Sequence, residues 1–167
     1  MMRTRRTMGA VVVALVAVAA LAATALAADG QTNGTGKTHL GYTVGYNAKS
    51  DLTGSFEYQP TIGGVTVDIH CNDWNRYRET TTGNGLYPKT IFNSTYCYDT
   101  DGNRYFVHVE AIDRGEPGTS DAMCIKVSLF PARLNDNLVT DCGIIQKGNV
   151  QIHTENNVLT SELVATS

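Results

Sequence analysis

Two stretches of the 167-residue chain gather side chains that could do chemistry. In the first, Asp113, Glu116 and Asp121 crowd into a loop, residues 111–121, that also holds Gly115, Pro117 and Gly118. Three carboxylates so placed could converge on Ca²⁺, a hard cation that takes oxygen ligands from loops. The preferred reading is structural: Asp113 and Asp121 accept loop amides, the glycines take positive φ and Pro117 stiffens the turn. In the second stretch, Trp74-Asn75-Arg76-Tyr77-Arg78 interleaves the only Trp with a Tyr and two Arg, and Tyr87, Tyr96 and Tyr98 return nearby across a hairpin. Flat rings beside polar donors suit a carbohydrate or a protein partner, so Trp74, Arg76, Tyr77 and Arg78 form the candidate binding set. The competing role, which weighs more for Trp74 itself, is a core plug against a disulfide.

Catalytic constellations are absent from the sequence. No serine sits in G-x-S-x-G, no phosphate-cradling glycine loop appears, and no unpaired cysteine is left as a nucleophile. A carboxylate pair for glycoside cleavage could be assembled from Glu57, Glu79 or Glu110 only by assertion. His39, His70, His108 and His153 are far apart, and although His70 and His108 could share an outer face, solvated strand histidines are favoured over Zn²⁺. Asp99 to Asn103 followed by Glu110 echoes an EF-hand loop, but Arg104 stands where Gly is needed, so this is a hairpin. The high Ala and Val content points to a bacterial source, and in such an exported product the sequons at Asn33 and Asn93 are expected to carry no weight. No cofactor is expected beyond the possible Ca²⁺.

The elements that position these residues begin after a leader. Arg3, Arg5 and Arg6, the apolar run Val11 to Ala22 and the small residues Ala25-Leu26-Ala27 spell a secretory signal peptide over residues 1–27, cleaved after Ala27. Ordinary secretion is favoured over the twin-arginine route, and no later run is apolar for long enough to span a bilayer. Removing the signal leaves 10 Lys and Arg against 16 Asp and Glu, so an acidic chain near −6 disfavours nucleic acid and anionic membranes. The expectation is an extracellular, bacterial, monomeric domain.

Residues 28–37, rich in Gly, Asn and Thr, read as a mobile leader, 38–156 as the domain and 157–167 as a tail. Leu40, Tyr42, Val44 and Tyr46 fall on one strand face, and Val65, Val67, Ile69 and Cys71 give the clearest period-2 run. Alternation recurs at Tyr105 to Ala111 and at Met123 to Leu129, with no helical spacing of comparable length. About eight short strands, spaced near ten residues apart, predict an all-β, antiparallel sandwich of immunoglobulin or jelly-roll type. Four cysteines in an exported chain imply two disulfides. A hairpin at Gly83-Asn84-Gly85 flanked by Thr80 and Lys89 sets Cys71 opposite Cys97, and a turn at Pro131 to Asp136 sets Cys124 opposite Cys142. Cys124 has the parity of Lys126 and Ser128, which puts the second bridge on an outer face or under the tail.

The run Tyr105 to Gly118, with Asp121, then Val127-Ser128-Leu129-Phe130 and Gly148-Asn149-Val150-Gln151-Ile152-His153, resembles the post-COAP-1 type domain of exported actinobacterial proteins. The likeness covers roughly residues 38–154 and includes Gly54-Ser55-Phe56-Glu57-Tyr58; Lys147 and the two cysteine pairs depart from it. It implies a secreted β-domain and no catalytic chemistry. The resulting expectation is a secreted binding or accessory module for envelope polymer, carbohydrate or a protein partner. The alternatives are a secreted hydrolase of extracellular polymer and a purely structural domain stabilised by Ca²⁺.

Overall fold

The computed structural model describes residues 30–131 and 136–154. The signal peptide and the 157–167 tail lie outside these residues. Twelve strands and no helix occur among them: β1 (Gln31–Lys37), β2 (Thr43–Lys49), β3 (Gly54–Gln59), β4 (Thr61–Ile62), β5 (Val65–Thr66), β6 (Ile69–Asn72), β7 (Arg76–Thr81), β8 (Pro88–Tyr98), β9 (Arg104–Ile112), β10 (Ala122–Leu129), β11 (Val139–Ile144) and β12 (Lys147–His153).

The all-β expectation holds, and every pairing is antiparallel. Where two packed sheets are expected, ten strands belong to one hydrogen-bonded sheet in the order β11-β10-β9-β8-β6-β3-β2-β1-β12, with β7 also on β8. The strands at its two ends, β11 and β12, are joined through only Ile145 and Gln146. The sheet therefore curls into half a barrel until its ends approach. Ile145 N–H then donates to Asp121 O (3.0 Å) and Gln146 N–H to Lys37 O (2.8 Å).

Strand alternation fills the concave side with one residue in two. Val44, Tyr46 and Ala48 of β2, Phe56 and Tyr58 of β3, Phe92 of β8, Val107 and Val109 of β9, and Ile125 and Val127 of β10 are all buried there. Asp141 of β11 also points inward and is buried; it accepts the Tyr58 hydroxyl (3.0 Å) and the Leu40 amide (3.0 Å), tying one limb of the curl to the other.

Three expectations are corrected. Residues 31–37 are not a mobile leader but β1, bonded to β2 on one side and β12 on the other. Their glycines serve close approach: a Cβ on Gly34 would overlap the Tyr46 ring, and one on Gly36 (φ +149°) the Lys147 carbonyl. Leu40 and Tyr42 belong to a turn, closed by Thr38 N–H to Tyr42 O (2.9 Å), rather than to the strand that holds Val44 and Tyr46. The period-2 run at 65–71 is cut in two, because Gly63 and Gly64 at positive φ fold β4 onto β5 and leave Val65 exposed, while Ile69 and Cys71 enter the core and Val67 packs half-buried against it.

Both disulfides form as expected, Cys71–Cys97 between β6 and β8 and Cys124–Cys142 between β10 and β11. The first is buried. The second lies on the convex side with Cys142 exposed, as parity requires.

Candidate functional site

The chain that runs from Cys71 to Thr80 turns at Asp73 (φ +64°), whose amide bonds Gly54 O (3.1 Å), and the following amide of Trp74 bonds Leu52 O (2.8 Å). That turn separates β6 from β7, which pair with different lengths of β8. It also drives the Trp74 indole inward. The ring stands edge-on to Phe92 (centroids 4.6 Å apart, 70°) and Phe56 (6.2 Å, 80°), is 3% exposed, and directs its N–H at Asn47 O (3.4 Å). Trp74 is thus a core plug and leaves the candidate binding set. Tyr77 is half-buried, with its hydroxyl on Glu79 Oε1 (2.9 Å). Of the candidate set, only Arg76 and Arg78, two residues apart on the convex side of β7, are exposed.

Register extends that pair into a surface. Arg76 stands opposite Asn93 of β8, Asn93 opposite His108 of β9, and His108 opposite Lys126 of β10. The next row runs Arg78, Ile91, Glu110, Cys124, and the one after it Thr80, Lys89, Ile112, Ala122. Glu110 is the one carboxylate on this face among the described residues; Lys89 Nζ bridges it, and His108 Nε2 lies 3.3 Å from it. Burial works against the Glu110 charge, yet Lys89 and His108 together hold its carboxyl below the usual range. Arg76, Arg78 and Lys126 form no salt bridge among the described residues. Lys126 escapes sequence reasoning because parity puts it on a polar face but says nothing of which strands lie side by side; Lys89 is placed across its hairpin from Thr80, but nothing in the sequence joins it to β9 and β10.

The carboxylate loop 113–121 has a different role. As the end strand of the order, β12 has β1 on one side only. On its other side Val150 N–H donates to Asp121 Oδ2 (2.8 Å) and Ile152 N–H to Asp113 Oδ2 (3.1 Å). The second oxygens take loop amides, Arg114 N–H on Asp121 (2.8 Å) and Gly115 N–H on Asp113 (2.8 Å). Glu116 Oε1 accepts the Asn149 and Gln151 side-chain amides (2.7 and 3.3 Å). Asp113, Glu116 and Asp121 are thus brought together along one strand, each facing N–H donors. Asp121 is fully buried, and that burial, reinforced by Asp113 and Glu116, raises its pKa against the pull of its two backbone bonds.

Glu57, Glu79 and Glu110 sit on β3, β7 and β9, each beside a different partner: His70 (3.9 Å), the Tyr77 hydroxyl and Lys89. His70 lies by Asp68 (3.2 Å), and His39 packs where a Cβ on Gly143 would be. Asp99 accepts the Asp101 and Asn103 amides (both 2.9 Å) and closes a hairpin. Among the described residues no group of three or more His, Cys, Asp or Glu side chains could hold a metal ion. A groove of about 440 Å³ opens beside Glu79, Tyr87 and Thr154.

No family model, no curated protein and no solved structure matches this chain.

Proposed function

We propose that this chain is an extracellular binding or accessory module that holds a polymer of the cell envelope or its surroundings against the convex face of β7–β10, without catalysing a reaction. One observation carries the reading: Arg76 and Arg78 stand exposed and, among the described residues, without carboxylate partners at the margin of a broad polar sheet face. Fixed strands hold such cations at set spacings, which suits a repeating ligand. Two disulfides agree with an oxidising location, and among the described residues no helix is long and apolar enough to cross a membrane. The motifs of residues 105–118 and 148–153, which resemble exported β-domains of the post-COAP-1 type, support the same reading. In it the two limbs of the curled sheet, joined across the core by Tyr58 and Asp141, stand in for the layers of a sandwich.

The test is co-sedimentation of the purified, oxidised chain with insoluble envelope and plant polymers. Retention that drops about tenfold in Arg76→Ala/Arg78→Ala, with the melting temperature unchanged, is expected. Retention by no polymer, or retention indifferent to both arginines, would overturn the reading.

A further inference from the structure

We infer that the polymer is an acidic polysaccharide, a glycan with carboxylate or sulfate groups at intervals, laid across β7, β8, β9 and β10. This rests on the reading above and narrows its ligand class. The chain as a whole is acidic, with 16 Asp and Glu to 13 Lys and Arg. Yet the convex face of these four strands gathers Arg76, Arg78, Lys89 and Lys126 around a single carboxylate, Glu110, already bridged by Lys89. Arg104, at one end of the face, is engaged elsewhere: its Nε donates to Thr95 O (2.6 Å) and its guanidinium stacks 3.9 Å from the Phe130 ring. Among the described residues the cations of this face without a carboxylate partner are therefore Arg76, Arg78 and Lys126.

Sheet geometry fixes their spacing. Arg76 and Arg78 are about 7 Å apart along β7, and Lys126 lies three strands away from Arg76, at about 14 Å. Between Arg76 and Lys126 stand Asn93 and His108, which can bond hydroxyls, and beside them half-buried Ile91, with Thr80 and Ile112 in the next row, can meet a hydroxyl or the apolar face of a sugar ring. Sparse cations separated by hydroxyl-binding and apolar side chains match a glycan better than a nucleic acid. Duplex DNA carries a charge every ~1.7 Å, and the acidic remainder of this chain would repel that density. Neither the 440 Å³ groove nor the smaller hollow by Asn33 and Asn149 is lined by Arg76, Arg78 or Lys126, so the ligand gains its contacts by length rather than enclosure.

The test titrates the oxidised chain with polygalacturonate, with a sulfated galactan, with neutral galactan and with poly-L-glutamate, at rising NaCl. The expected result is binding to the acidic glycans, weakened by salt and by about tenfold or more in Arg76→Glu/Arg78→Glu and in Lys126→Glu, with unchanged melting temperatures. The two glycan arms separate carboxylate from sulfate as the anion. Neutral galactan held as tightly, insensitive to salt but lost in Arg76→Ala/Arg78→Ala, would overturn the acidic ligand and leave the polymer-binding reading standing. Poly-L-glutamate bound as tightly as the glycans would overturn the sugar. Binding to none of the four, with a separate insoluble polymer retained through the arginines, would also overturn it.

Discussion

Asp121 does two tasks that no apolar residue could take over. Its carboxylate is buried, and it satisfies the amides of Val150 on β12 and Arg114 in its own loop. Asp121→Ala leaves the buried Val150 amide and the part-buried Arg114 amide unpaired, with an expected loss of about 2–4 kcal/mol in denaturant unfolding. A loss under ~0.5 kcal/mol would mean that water replaces the carboxylate freely. Tyrosines give a second expectation at this scale. Burial, together with Asp99 beside it, pushes the Tyr105 phenol up to about 12, and burial also raises Tyr46 and Tyr58. A phenol whose folded pKa exceeds its unfolded value near 10 stabilises the fold fully below pH ~10, and that contribution is lost as pH rises through the folded value. Unfolding free energy should therefore fall from pH ~10 towards ~12 for Tyr105, with part of the phenolate absorbance appearing only on unfolding. Ionisation of all eight tyrosines together near pH 10 in the folded chain would contradict this. Of these residues, the amide-accepting role of Asp113 and Asp121 was legible from carboxylates set among glycines and a proline. The strand they accept from was not, because β12 lies some thirty residues on.

Elements closed by short turns were the legible ones. Thr80 does face Lys89, because a hairpin turn sets register over the few residues that follow it, and Cys124 does face Cys142. The pairing of β1 with β2 and β12 was not legible: a Gly-, Asn- and Thr-rich segment has low strand propensity, and only the partners explain why small residues are needed there. The two bridges join elements of similar loop length but unlike exposure. Loop closure alone gives each about 3 kcal/mol. Cys71→Ser/Cys97→Ser should cost more than Cys124→Ser/Cys142→Ser, since it also puts two hydroxyls into the core beside Phe56. Under mild reductant, mass-spectrometric mapping should find Cys124–Cys142 opening first. The reverse order of either effect would place the structural weight on the outer bridge.

At the scale of the whole molecule, the curl divides the chain into a concave side that is mainly apolar and aromatic, with Thr90, Ser94 and Asp141 buried among it, and a convex side that carries most of the charge. Alternation announced that division strand by strand. Which strands adjoin is a long-range fact, and it alone turns Arg76, Lys89, His108 and Lys126, scattered over fifty residues of sequence, into one face. It likewise carried Trp74 out of the candidate site and into the core, leaving its two arginine neighbours outside. The most direct measurement is amide chemical-shift mapping of the ¹⁵N-labelled, oxidised chain titrated with an oligogalacturonide. The expected result is progressive shifts at Arg76, Arg78, Asn93, His108 and Lys126, fading as salt is added. Shifts confined to the groove beside Glu79 and Tyr87, or to the 113–121 loop, would contradict the assignment of the convex face as the binding surface.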